Sequence, residues 1–182
     1  MVLATPGVTF LVATGENGSD LDVVIREPAS RPGLVGYVYN ESHYGYLKYG
    51  SLIHQPRRPV IALGSSRVLG IRAQMFDVPF FNAGYTIESI GDFRQFLHVL
   101  PPEKRPETVL MALDQWMFNP LWNEQTPVAN SQEWTANHSG DIVRAVPLVH
   151  KVYRDFLRGR LSIGVATGDS RLIGLNARCN GR

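Results

Sequence analysis

The chain has a single cysteine, Cys179, so it can form neither an internal disulfide nor a cysteine-based zinc site. One thiol fits a reducing or an oxidising compartment equally well. No run approaches the roughly 20 consecutive apolar residues that a membrane-spanning helix needs, and the start has neither a basic n-region nor a small-residue cleavage site. Neither sign of charge dominates. With 18 Lys and Arg against 16 Asp and Glu the formal net charge is +2, too weak a field to draw nucleic acid. A glycine-rich loop ending in lysine, the usual cradle for nucleotide phosphates, is missing, as are internal repeats and low-complexity tracts. At 182 residues and 44% hydrophobic content, the chain is long enough for one domain with a core and too short for two large ones.

The informative part runs from Val60 to Asn119. Val60-Ile61-Ala62-Leu63 is a short apolar run bounded by Pro59 and Gly64, and a helical pattern follows with Val68, Ile71, Met75 and Phe76 on one face. A second short strand, Pro79-Phe80-Phe81, leads into Asn82-Ala83-Gly84. Ser89 and Asp92 then form a capping-box-like pair ahead of a stripe of Phe93, Phe96, Leu97 and Leu100, and Pro101-Pro102 ends that helix. A third strand, Thr108-Val109-Leu110-Met111-Ala112, leads into Leu113-Asp114-Gln115-Trp116. This alternation predicts an α/β fold, a parallel sheet with flanking helices and polar residues at the carboxyl ends of its strands, where such sheets hold ligands. Ser65 and Ser66 stand where the first strand turns into a helix, near unpaired N–H groups that favour negative charge.

Three blocks in this order, Gly64-Ser65-Ser66-Arg67, Asn82-Ala83-Gly84 and Leu113-Asp114-Gln115-Trp116, resemble those of the SGNH (GDSL-type) hydrolases, over roughly a third of the chain. The resemblance implies a three-layer, flavodoxin-like parallel sheet with Ser66 as the nucleophile. It also implies a serine esterase or O-acyltransferase that needs no cofactor or metal and acts on acyl esters of small molecules, carbohydrates or cell-envelope polymers. Gly84 and Asn82 fall where that family shapes a backbone N–H toward the oxyanion, and Gln115 where an asparagine amide helps bind it. A glutamine amide donates equally well, and the Gln-Trp pair is similar to that of D-alanyl-transfer proteins of cell-wall teichoic acids.

The chain also departs from the family pattern. Ser65 stands where the family has aspartate, and none of His43, His54, His98, His138 and His150 has an aspartate three residues before it, so the family's Asp-x-x-His is missing. Ile173 to Arg182 reads as a loop with no closing helix, which suggests a sheet incomplete at the C-terminus and a base beyond Arg182. The apolar start, broken at Pro6-Gly7, is compatible with a membrane anchor lost from the N-terminus, and so with an extracytoplasmic or membrane-associated bacterial setting. A second reading is an SGNH-fold binding or scaffolding module without chemistry. A third, weaker one is a flavodoxin-like nucleotide binder.

Each candidate residue has a plainer role open to it. Ser66 is an N-cap or a nucleophile, and Ser65 is free to cap beside it. Asp114 orients the Ser66 loop or caps its own. Asn82 and Gly84 make a tight turn or shape the oxyanion N–H. Arg67 and Arg72 face solvent or hold an anionic substrate. The five tyrosines from Tyr37 to Tyr49 cover the sheet edge or stack on sugar rings. Gly168-Asp169-Ser170-Arg171 spells the family's motif literally but reads as a turn, and His138 with Asp141 lacks a third metal ligand. Residues 1–57, rich in glycine and proline, read as an irregular lead-in with strands at Asp22 to Arg26 and Leu34 to Tyr39, and residues 58–182 as the α/β domain. Its last helix carries Ile142, Ala145, Val149, Val152, Tyr153 and Phe156 on one face, kinked or started late by Pro147.

Overall fold

A computed structural model describes residues 5–26, 34–126, 128, 131–168 and 171–180. Helices α1 (Thr5–Ala13) and α2 (Leu21–Arg26) precede strand β1 (Leu34–Val35) and helix α3 (His43–His54). Strands β2 (Val60–Gly64), β3 (Phe80–Gly84) and β4 (Thr108–Met111) follow, with α4 (Ile90–Val99) between the last two. Short helices α5 (Pro120–Gln125), α6 (Gln132–Thr135) and α7 (Ile142–Ala145) lead to α8 (Val149–Leu157), strand β5 (Leu172–Ile173) and α9 (Leu175–Asn180). The chain forms two compact units, Ser42–Ala136 and the combination of Met1–Glu41 with Asn137–Arg182. The division therefore falls at Ser42 rather than after residue 57, with α3 on the same side as the sheet.

The unit Ser42–Ala136 is built on a parallel sheet of order β3-β2-β4. Gly64 lies opposite Gly84 and Leu63 opposite Met111. Side chains alternate across a strand, so Ile61 and Leu63 share one face and Val60 and Ala62 the other. The first face packs on helices: Tyr49 and Leu52 of α3 and Phe93 and Phe96 of α4 join Ile61, Leu63 and Ala83 in one core with Met117 and Trp134. Phe96 meets Tyr49 and Trp134 edge-on, with ring centroids 6.2 and 5.4 Å apart. Asp92 Oδ2 accepts from the N–H groups of Glu88 and Ser89 at 2.9 and 2.8 Å, which starts α4 where the sequence places it. The α/β character of the chain, a three-stranded parallel sheet flanked by helices, is thus seen directly.

The second face differs from expectation. No continuous helix follows Gly64. Two 3-10 turns, Ser66–Gly70 and Ala73–Met75, run there instead. Asn82 Nδ2 donates to the carbonyls of Val68 and Ile71 at 2.7 and 2.8 Å, taking acceptors that an α-helix would need, and Gly70 adds the glycine penalty of about 1 kcal/mol. Val68, Ile71 and Phe76 still pack inward with Ala62 and Phe80, whereas Met75 is exposed.

The other unit is held by a buried carboxylate. Glu16 accepts from the N–H groups of Val38, Tyr39, Asn40 and Leu175, at 2.9, 3.0, 3.2 and 2.8 Å. These bonds explain two corrections. The strand expected from Leu34 to Tyr39 is only Leu34–Val35, paired in parallel with Leu172–Ile173; the Gly36 N–H still donates to the Ile173 carbonyl, and from Val38 onward the N–H groups turn to Glu16 instead of a ladder. The C-terminal stretch read as a loop contains α9, and Glu16 takes up the N–H of its first residue, Leu175. A third correction is local: Asp22 to Arg26 is part of a helix, started by Asp20 Oδ1 accepting from the N–H groups of Asp22 and Val23, with Leu21 and Ile25 buried one turn apart. Pro147 lies in a 3-10 turn, Val146–Leu148, that separates α7 from α8. Ala145, Val149 and Val152 pack against Phe10 and Leu11 of α1 as the spacing predicts, while Ile142 is exposed.

Candidate functional site

The carboxyl ends of β2, β3 and β4 bring the three sequence blocks to one edge. The first strand of this sheet, β2, is central, so the chain leaves it toward β3 on one side and returns to β4 on the other. Open α/β sheets hold ligands at such a reversal of strand order. At the end of β2, Ser65 is the cap: its Oγ accepts from the Arg67 N–H at 3.3 Å. Ser66 opens the 3-10 turn, is exposed, and its hydroxyl makes no hydrogen bond among the described residues.

Asn82 does more than terminate β3. Besides holding the Val68 and Ile71 carbonyls, its Oδ1 accepts from the Gly84 N–H at 2.9 Å. The Gly84 N–H therefore points to Asn82 and not to a ligand. Gly84 is the residue that permits this approach: a Cβ there would stand 2.9 Å from Leu69 Cδ2 and 3.3 Å from the Ser65 carbonyl oxygen. Of the two roles open to Asn82 and Gly84, shaping the turn beside Ser66 is the one their bonds perform. On the outer edge of β3, Lys48 Nζ donates to the Asn82 carbonyl at 2.8 Å and lies 5.6 Å from the centre of the Phe81 ring. Burial lowers the pKa of this lysine, and its position covers an edge carbonyl open to stray strand pairing.

At the end of β4, Asp114 is buried at 4% exposure, and its Oδ1 lies 3.4 Å from Arg67 Nε. Its Oδ2 has no hydrogen-bond partner among the described residues. The Arg67 guanidinium also sits 4.8 Å above the Trp116 ring. Asp114 thus tethers the Ser66 turn through Arg67, and its own backbone carbonyl accepts from the Met117 N–H at 3.0 Å. Gln115 is exposed at the start of the following 3-10 turn, Gln115–Phe118. Arg72 is exposed at the cap of the second turn after β2.

None of the five histidines forms a hydrogen bond with Ser66 among the described residues. The described residues contain no group of three His, Cys, Asp or Glu side chains able to hold a metal. They also contain no helix long and apolar enough to cross a membrane. Asp169 and Ser170 of the literal Gly-Asp-Ser sequence lie outside the described residues. The motif-based reading did not anticipate Tyr85, which follows Gly84 with φ 67°, a left-handed conformation uncommon for a bulky residue. Tyr85 stacks on Tyr44 at 4.6 Å and, with Thr86, Glu88 and Trp134, lines an open cavity of about 580 Å3. A bulky residue directly after an edge-strand glycine is the one sequence sign of that strain.

No protein-family model, curated protein or solved structure matches this chain. The functional reading therefore stands on the site itself.

Proposed function

We propose that the chain carries the nucleophile of an SGNH-type serine esterase or O-acyltransferase with a flavodoxin-like sheet, and that it acts on acyl esters of small molecules, carbohydrates or cell-envelope polymers. One observation carries this reading: Ser65 takes the capping role at the end of the central strand, which leaves the exposed Ser66 hydroxyl uncommitted at the edge where parallel sheets bind ligands. A serine that merely started the turn would itself accept the N–H. In the proposed mechanism Ser66 Oγ attacks the ester carbonyl while a histidine base takes its proton. The tetrahedral oxyanion is met by the Ser66 N–H and the Gln115 amide, in a turn braced by Asn82, Gly84 and Asp114.

Specific observations favour a second reading, a binding or scaffolding module on the same frame. The Gly84 N–H is engaged by Asn82, and no described histidine bonds to Ser66. Covalent labelling with a fluorophosphonate separates the two. The esterase reading predicts labelling that Ser66→Ala abolishes and Ser65→Ala leaves in place. Absence of labelling of the intact chain over the pH range where imidazole is neutral favours the binding module.

A further inference from the structure

We propose that Arg67 is an anion-recognition residue, its guanidinium fork presented to the carboxylate or phosphate oxygens of a ligand at the carboxyl edge of the sheet. Arginine carries five N–H donors in a fixed plane, and the contact with Asp114 uses Nε. The two terminal amino groups hold the other four donors on a side chain that is 64% exposed. An exposed arginine ordinarily loses much rotamer freedom when it binds, but here that freedom is already restricted from two directions. Asp114, almost fully buried, fixes the Nε edge, and Trp116, the most favourable ring for such stacking, supports one face at 4.8 Å. Such pre-organisation suits bidentate recognition of a planar or tetrahedral oxyanion. Because Asp114 offsets the charge, selectivity comes from the geometry of the fork more than from net attraction.

This inference shares the sheet edge with the proposed esterase reading but not the chemistry of Ser66, so its test reads binding alone. Inorganic phosphate is titrated by calorimetry into the full chain at low ionic strength, alongside Arg67→Ala, Arg67→Lys and, as a control for exposed positive charge, Arg94→Ala on α4. Saturable binding by the wild type is expected. Affinity should be about tenfold or more weaker in Arg67→Ala and similarly reduced in Arg67→Lys, which keeps the charge and loses the fork, with Arg94→Ala unchanged. Arg67→Ala leaves the buried Asp114 without its ion-pair partner, whereas Arg67→Lys keeps a cation beside it, so a near wild-type melting temperature in Arg67→Lys shows that its weaker binding is not a loss of fold. Full affinity in Arg67→Lys would reduce the effect to charge alone and overturn the proposal, as would a wild type that does not bind phosphate or binding insensitive to Arg67. Loss of fluorophosphonate labelling with phosphate binding intact would sink the esterase reading and leave this one standing.

Discussion

At the residue scale, the chemistry of the sheet edge depends on which groups are already occupied. Ser65, Asn82 and Asp114 are each engaged in holding backbone or Arg67, whereas Ser66 and Gln115 are exposed. An oxyanion donor contributes only as charge develops, so its loss lowers turnover more than substrate affinity. If Ser66 acts as proposed, Gln115→Ala should lower kcat on an activated acyl ester by about 100- to 1,000-fold, the range for one such donor, with KM little changed. Steady-state kinetics with p-nitrophenyl acetate checks this, and an unaltered kcat removes Gln115 from the mechanism. Placing Ser66, Gly84 and Asp114 at strand ends was legible in the sequence, because each follows a short apolar run. The Arg67 latch was not, since it requires knowing that β4 lies directly beside β2.

At the scale of elements, the readable pieces are those whose signal is local. The Phe93, Phe96 and Leu100 stripe and the Asp92 box specify α4 within a dozen residues, and the continuous apolar runs specify β2 and β4. The misread pieces are set by distant partners. Asn82 reaches back 14 residues to Val68 and 11 to Ile71 and holds two turns where the side-chain pattern alone favours a helix. Glu16 collects N–H groups from 22 to 159 residues away, and nothing around it in the sequence announces that role. Removing the Asn82 amide tests the account of the turns. Asn82→Ala should destabilise the unit Ser42–Ala136 by about 2–4 kcal/mol, since three hydrogen bonds are lost and two carbonyls are left short of a donor. Urea unfolding followed by tryptophan fluorescence measures it. Asn82→Asp should be no better, because it sets a carboxylate oxygen against the same two carbonyls. Wild-type stability in both variants would mean that side-chain packing, not Asn82, sets the turns.

At the scale of the whole molecule, the two units carry different spectroscopic and ionic signatures. Trp116, Trp122 and Trp134, all the tryptophans of the chain, lie in Ser42–Ala136. The other unit contains the Tyr39 hydroxyl donating to Asp155 Oδ2 at 2.7 Å. This hydrogen bond holds the Asp155 carboxyl below its usual value against the opposing effect of desolvation, with Arg154, Arg160 and Arg158 assisting. Burial first, and then the same bond, push the Tyr39 phenol well above its usual value. For Asp155 the folded pKa is depressed, so its contribution to stability is present above an unfolded value of about 4 and is lost as pH falls through the lower folded value. For Tyr39 the folded pKa is raised, so its contribution is complete below an unfolded value of about 10 and is lost as pH rises through the higher folded value. The unit without tryptophan should therefore lose stability at both extremes. Thermal melts followed by far-UV circular dichroism should shift downward below about pH 4 and above about pH 10, relative to melts followed by tryptophan fluorescence. Tyr39→Phe removes the donor and the titrating phenol together and should abolish the part of the shift that separates the two probes. Probes that move together in both proteins would show that the Tyr39–Asp155 pair does not govern the pH response of its unit.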